Sequence, residues 1–206
     1  MVEKYIKEYC EGFDFKPYKK HSEKVCDITI ESDISLFSEG INRRTKSHVV
    51  FRKDNAVYEC DRVNTENLKI SLITVNGKKC LCFSKSLYGF VFLNIDNLQV
   101  EFEYFPENVF NNEESFIVVE ARNLGNLIIF DGCYWACPYG IYAYDYVNKR
   151  FFNLTGEYGL VYDVEGNILD GILTITGRSD HNKHIEVSLS EQDVLKLIDK
   201  KGTKDF

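Results

Sequence analysis

Residues 124–154 read LGNLIIFDGCYWACPYGIYAYDYVNKRFFNL and hold the only tryptophan, Trp135, together with the densest run of tyrosines in the chain. Short stretches rich in Ile, Tyr and Phe, at 126–130, 140–146 and 150–154, are separated by turn residues, Asn148 among them. Stretches of this length and composition are typical of β-strands. The segment therefore predicts an antiparallel sheet, and it matches no catalytic signature.

The clearest hairpin lies upstream, where residues 69–75 and 78–83 flank Asn76-Gly77. An Asn-Gly pair between two β-type stretches indicates a two-residue turn, because both turn residues must accept a positive φ. Further hairpins are predicted over 88–104 and 115–130. A later one is predicted over 159–173, with its turn at Glu165-Gly166.

Two parts of the β-rich region correspond to each other. In each part a hairpin is followed by a connector, a Tyr-Gly pair and two more strands, and the pairs Tyr88-Gly89 and Tyr139-Gly140 are 51 residues apart. A four-stranded meander that repeats at this period resembles a propeller blade. Two or three such units cannot close a ring, so we expect stacked or partly open antiparallel meanders.

The predicted fold class is all-β, with short helices only at the two ends. Residues 2–10 have apolar side chains at helical spacing, and Ser190 with Asp193 forms a capping box for a helix over 194–200. We expect a single domain over 1–206, made of an N-terminal helix with mixed strands (1–67), the meander region (68–189) and a C-terminal helix with a tail (190–206).

The N-terminal residues are too acidic for a signal peptide, and no later stretch is long and apolar enough to cross a membrane, so we expect a cytoplasmic protein. Basic patches near Lys19 and Arg43 are interleaved with acidic residues, and the sequence pI is near 5.2. A solvated surface explains these patches better than a nucleic-acid site.

Seven cysteines, an odd number, cannot all pair within one chain. Cys80-Leu81-Cys82 and Cys133 with Cys137 suggest a metal-binding module, but zinc sites usually have two-residue spacers. We expect buried thiols, no metal and no cofactor.

Charge is the most informative property for function. Between Ser86 and Asn148 there is one basic residue, Arg122, against nine acidic ones, and the aromatic cluster lies in the same stretch. Acidic side chains around exposed Tyr and Trp suit the docking of a basic protein. The alternative is that the aromatic rings form the core and the acids only keep the protein soluble.

We therefore expect a non-catalytic protein that binds a basic protein partner, of which an immunity or inhibitor role is one instance. The predicted binding residues are Glu101, Glu103, Asp131, Tyr134, Trp135, Tyr139, Tyr142 and Tyr144. The alternative is a carbohydrate-active enzyme or sugar-binding protein that uses Asp131 and Asp145 among these aromatics. A third possibility is the cysteine-based metal module.

Overall fold

The computed structural model describes residues 1–107, 117–133 and 139–200. These ranges contain 15 strands and three short helices. The strands form three four-stranded sheets and one three-stranded sheet, with antiparallel pairing. The predicted all-β fold of antiparallel meanders with a blade-like repeat is confirmed.

The N-terminal part contains helix α1 (Val2–Cys10) and a sheet in the order β1-β2-β3-β4. Its strands are β1 (Lys16–Val25), β2 (Ile28–Glu39), β3 (Asn42–Lys53) and β4 (Ala56–Val63). The sequence predicted the helix and mixed strands here. It missed β1, because every residue of its first seven is exposed and the apolar alternation that marks a half-buried strand is absent.

Each of the two predicted repeats forms a meander. The first contains β5 (Ser71–Val75), β6 (Lys78–Phe83), β7 (Phe90–Asn94) and β8 (Val100–Tyr104). The second contains β9 (Ile117–Leu124), β10 (Leu127–Cys133), β11 (Gly140–Asp145) and β12 (Arg150–Asn153). Asn76 and Gly77 both have positive φ, 51° and 74°, as the hairpin prediction requires.

The C-terminal part contains helix α2 (Leu154–Glu157), the sheet β13 (Tyr162–Leu169), β14 (Ile172–Arg178) and β15 (His184–Ser190), and helix α3 (Glu191–Lys200). The prediction that helices lie only at the two ends is wrong, because α2 follows β12 in the middle of the chain, where the Asn153 side chain caps it by accepting from the Gly156 backbone N–H. The predicted turn at Glu165-Gly166 is wrong, because β13 runs through it and the chain turns at Asp170-Gly171, with φ of 50° and 74°. Asp tolerates positive φ better than Glu, so Asp-Gly is the stronger turn pair.

The capping box of α3 is confirmed. The Asp193 backbone N–H donates to Ser190 Oγ at 3.2 Å, and the Ser190 backbone N–H donates to Asp193 Oδ2 at 3.1 Å. Hydrogen bonds to the side chain of Ser190 and to its backbone N–H lower the pKa of Asp193. The cap fixes where α3 begins.

The described residues group into two compact units. The first contains residues 1–70 and 79–107, and the second contains 71–78, 117–133 and 139–200. The core of the first unit joins β2, β3 and β4 to β6 and β7, and the core of the second joins β9, β10 and β11 to β14, β15 and α3. The single domain with boundaries at 67 and 189 stays a prediction. No helix in the described ranges is long and apolar enough to cross a membrane.

The two Tyr-Gly pairs of the repeat differ in backbone conformation. The same substitution of their glycines should therefore lower the free energy of unfolding by different amounts. Gly89 has φ of 78°, and a Cβ there would overlap the carbonyl oxygen of Tyr104. Gly140 has no positive φ, and a Cβ there would lie 3.1 Å from Thr155 Oγ1. We expect Gly89→Ala to lower the free energy of unfolding by about 2 kcal/mol and Gly140→Ala by about 1 kcal/mol or less. Urea unfolding of the two variants measures this, and equal losses would contradict it.

Candidate functional site

Asp131, one of the predicted binding residues, lies near the end of β10 and forms an ion pair with Arg122 on the neighbouring strand β9. Its Oδ2 accepts a hydrogen bond from Arg122 Nη2 at 2.6 Å, and Arg122 Nη1 donates to the carbonyl oxygen of Gly166 on β13 at 2.7 Å. Arg122 therefore links this sheet to the C-terminal sheet of the same unit. The pair has a structural role whatever else Asp131 does.

The electrostatics of Asp131 are those of a partly desolvated carboxylate. Burial raises its pKa above 3.8, and the charge of Arg122 opposes that rise without cancelling it. Its second oxygen, Oδ1, is buried and has no hydrogen-bond partner within the described residues. The charge of Asp131 is thus tolerated because of Arg122.

Asp145 closes the turn between β11 and β12. Its Oδ1 accepts from the backbone N–H groups of Val147 and Asn148, both at 3.1 Å, and its Oδ2 accepts from Asn148 Nδ2 at 2.7 Å and Arg150 Nη2 at 3.1 Å. Burial raises the pKa of Asp145, but these hydrogen bonds outweigh burial and lower it. A carboxylate with four donors is a turn cap and has little capacity left for a ligand.

The two carboxylates do not share a site. Asp131 lies opposite Ile141 in the β10–β11 register, and Asp145 lies four residues further along β11. Four residues of strand span about 13 Å. The acid and base of a glycosidase lie roughly 5 to 9.5 Å apart, so the backbone separation does not favour the catalytic pair considered from the sequence.

The predicted aromatic residues have different environments. Tyr144 is 1% exposed, and its ring packs on Phe151 with the centroids 4.5 Å apart, so it belongs to the core. Tyr142 is half-buried, whereas Tyr139 is 56% exposed. Tyr134 and Trp135 lie outside the described residues.

Glu101 and Glu103 belong to the first unit, on β8. Glu101 accepts a hydrogen bond from Asn94 Nδ2 at 2.8 Å, and Glu103 Oε1 lies 2.6 Å from Lys85 Nζ. Lys85 is 8% exposed and also lies 3.3 Å from Glu3 of α1. The charge of Glu103 is therefore offset inside its own unit.

Residues from separate parts of the chain come together around Lys85, and no local pattern in the sequence indicates this. We call Lys85, Tyr58, Cys60 and Glu103 the Lys85 cluster. Burial lowers the pKa of Lys85, but the hydrogen bond to Glu103 and the nearby charges outweigh it and raise the pKa. Burial raises the pKa of Tyr58 and raises that of Cys60 to about 11. The cluster therefore holds a charged lysine beside a neutral thiol and a neutral phenol, and neither of these two groups is an activated nucleophile.

The cysteines of β6 are in the core. Cys80 and Cys82 are buried, and burial raises the pKa of Cys82. Cys137 lies outside the described residues. Within the described ranges no three His, Cys, Asp or Glu side chains are arranged to hold a metal ion.

A row of titratable side chains crosses the exposed face of the first sheet. Lys20, Asp33, His48 and Asp61 lie directly opposite one another on the four consecutive strands. Lys20 Nζ lies 3.1 Å from Asp33 Oδ1, and His48 Nδ1 lies 3.0 Å from Asp61 Oδ1. Grooves of about 500 Å³ run along this face. Basic and acidic residue types alternate along the row, and Lys20 and Asp33 offset each other's charge. The solvated-surface interpretation of the basic patches stays a prediction.

One end of the second unit's β9–β12 sheet brings predicted site residues together. Asp131 is opposite Glu120 on β9, and Tyr139 directly precedes Gly140, which is opposite Gly132. Glu120 is largely exposed, and its Oε1 lies 3.9 Å from Arg122 Nε. We call Glu120, Asp131 and Tyr139 the Tyr139 surface. Arg122 offsets only one of its two carboxylates, so the surface and Arg122 together carry one net negative charge.

No protein-family model and no curated protein match the sequence. Among solved structures the chain is similar to the crystal structure of HIRA(644-1017), with a TM-score of 0.39 and 10% sequence identity. The match covers 86% of this chain and 55% of that one, so the chain spans about half the length of the HIRA fragment. A likeness at this level carries no argument about function, which has to rest on the residues of this chain.

Proposed function

We propose that this chain is a non-catalytic binding protein and that the Tyr139 surface docks a basic protein. The observation that carries the proposal is the exposed ring of Tyr139 at the same sheet end as Glu120 and Asp131. An exposed aromatic ring at the same sheet end as carboxylates offers apolar area for burial and a field that attracts cations.

The charge of the surrounding sequence supports a positively charged partner. Arg122 is the only basic residue between Ser86 and Asn148, and its guanidinium is already held by Asp131 and by the Gly166 carbonyl oxygen. A basic partner would therefore meet little local repulsion at this end of the sheet. Long-range attraction between opposite charges mainly speeds association.

The rigidity of the sheet supports the aromatic as an anchor. Tyr139 directly precedes β11, whose first residue, Gly140, pairs with Gly132 on β10. The next backbone N–H, that of Ile141, donates to Thr155 Oγ1 at 2.6 Å. A tyrosine attached to a fixed backbone loses little conformational entropy on binding, which is why such residues are often hot spots.

The test compares two exposed tyrosines of the second unit. Tyr139 is 56% exposed and Tyr162 on β13 is 52% exposed. Each is replaced by alanine, and the tagged variants are used to recover partners from the native host, followed by titration of the basic protein recovered by the wild type. We expect Tyr139→Ala to weaken affinity by about 2 kcal/mol, roughly thirtyfold, and Tyr162→Ala to leave it unchanged.

The charge contribution is tested with the same partner. Glu120→Lys should slow association and reduce its dependence on salt concentration, while the dissociation rate changes little. Equal affinities for the wild type and for Tyr139→Ala, with both proteins folded, would rule out this surface. Recovery of only acidic or neutral partners would contradict the predicted partner class.

A further inference from the structure

We propose that the outer edge of β1 in the first unit binds an extended acidic segment of another protein by adding it as a fifth strand to the sheet. This inference goes beyond the proposed function, because it concerns another unit and a partner of opposite charge. Its basis is the position, the exposure and the charge of β1.

The position of β1 leaves one of its edges available. In the order β1-β2-β3-β4, β1 is the first strand and pairs along its length with β2, from Lys16 opposite Leu36 to Val25 opposite Ile28. No strand within the described ranges pairs with its other edge. An edge strand presents backbone N–H and C=O groups that a further strand can pair with.

The exposure of β1 removes steric obstacles. Its first seven residues, 16–22, are exposed on both faces of the sheet, and only Glu23 and Val25 are half-buried. A strand that pairs here would not have to displace any side chain from the core. The side chains of the added strand could lie on either face.

The charge of β1 selects an acidic occupant. The strand carries four lysines against a single acid, Glu23. Lys20 is paired with Asp33, but Lys19 and Lys24 are exposed and have no ion pair within the described residues. Opposite charges that face each other across strands are favourable, and like charges are unfavourable.

The same lysines oppose pairing with a second copy of the chain. Two copies of β1 joined edge to edge would bring lysines close to lysines, which is how natural edge strands avoid self-association. Pro17 has no backbone N–H, and the pairing with β2 shifts register between Pro17 and Lys19. The usable edge is therefore the part from Lys19 to Val25.

The probe is a synthetic peptide as long as the stretch from Lys19 to Val25, with blocked ends, in which pairs of glutamates are separated by single valines. Carboxylates then lie on both faces of the added strand, as Lys19 and Lys24 do on β1. Titration into the full chain is followed by NMR and calorimetry. One control peptide has every second backbone nitrogen methylated, which keeps the charge but removes the hydrogen bonds of the added strand. We expect saturable binding of the acidic peptide and at least about tenfold weaker binding of the methylated one.

The protein variants separate the site from general charge. Lys19→Glu/Lys24→Glu should weaken binding of the acidic peptide by about tenfold or more, whereas Lys69→Glu/Lys79→Glu, with the same charge change at exposed positions of the same unit, should change it less than about twofold. Circular dichroism checks that both variants fold.

Several results would overturn the proposal. If the acidic peptide does not bind, if the methylated peptide binds as tightly as the unmodified one, or if the two double variants weaken binding of the acidic peptide equally, strand addition at β1 is contradicted. A further one is a dimer in sedimentation experiments whose β1 amides are protected from exchange without peptide, because a second copy would then cover the edge.

Discussion

Replacing Phe51 with alanine is expected to lower the free energy of unfolding of the first unit by about 4 kcal/mol. Phe51 lies on β3, is fully buried, and stacks on Phe83 of β6 with the ring centroids 4.9 Å apart. Removal of the ring deletes this contact and leaves a cavity where the N-terminal sheet meets β6. Urea unfolding followed by circular dichroism measures the loss.

The matched control is Val57→Ala on the adjacent strand β4. Val57 is 52% exposed, so its truncation should cost less than about 0.5 kcal/mol. Combining Phe51→Ala with Phe83→Ala should cost less than the sum of the single losses, because each single change already removes the shared contact. Strict additivity would show that the two rings do not stabilise each other.

Arg122→Met in the second unit is expected to lower the free energy of unfolding by about 3 kcal/mol at pH 7. The change removes the only ion-pair partner that the described residues give Asp131, which already has one unpartnered oxygen, and it removes the bond to the Gly166 carbonyl oxygen. A partly buried carboxylate left without its cation is costly.

The pH dependence of this loss has a definite sign. The pKa of Asp131 is already raised above 3.8 by burial, and loss of Arg122 should raise it further. A carboxyl with a raised pKa in the folded state contributes stability below its unfolded pKa and loses that contribution as pH rises through the folded pKa. The difference in free energy of unfolding between the wild type and Arg122→Met should therefore be smaller at pH 4 than at pH 7.

A second substitution isolates the charge. Asp131→Asn added to Arg122→Met should recover part of the lost stability at pH 7, because the unpaired charge is gone while the size of the side chain is kept. If the double variant is no more stable than Arg122→Met, and if the loss is the same at both pH values, the cost arises from the Gly166 bond or from packing and not from Asp131.

The sequence by itself determined the features that depend on neighbouring residues. The Asn76-Gly77 turn follows from two residues that accept positive φ, and the start of α3 follows from Ser190 and Asp193 bonding each other's backbone. The two meanders were predictable for the same reason, since their hairpins are local. Where the prediction failed, at Glu165-Gly166, a stronger local signal lay five residues downstream at Asp170-Gly171.

Only the tertiary structure decided what the charged and aromatic side chains do. Asp131 is tied to Arg122 and Gly166, and Asp145 is tied to Asn148 and Arg150. The bonds of Asp145 are local, within five residues in sequence, whereas the bridge from Asp131 through Arg122 to Gly166 on β13 exists only because the two sheets pack together.

Burial of the tyrosines was decided in the same way. Tyr139 and Tyr144 are five residues apart in one aromatic run, yet one ring is mostly exposed and the other lies in the core. Tyr144 lies within β11, where other elements cover the sheet, whereas Tyr139 precedes the strand. Likewise, β1 is a strand because β2 pairs with it, although its own side chains bury almost nothing. Pairing and burial are determined by residues distant in sequence, so the tertiary structure was needed to locate the two surfaces proposed for binding.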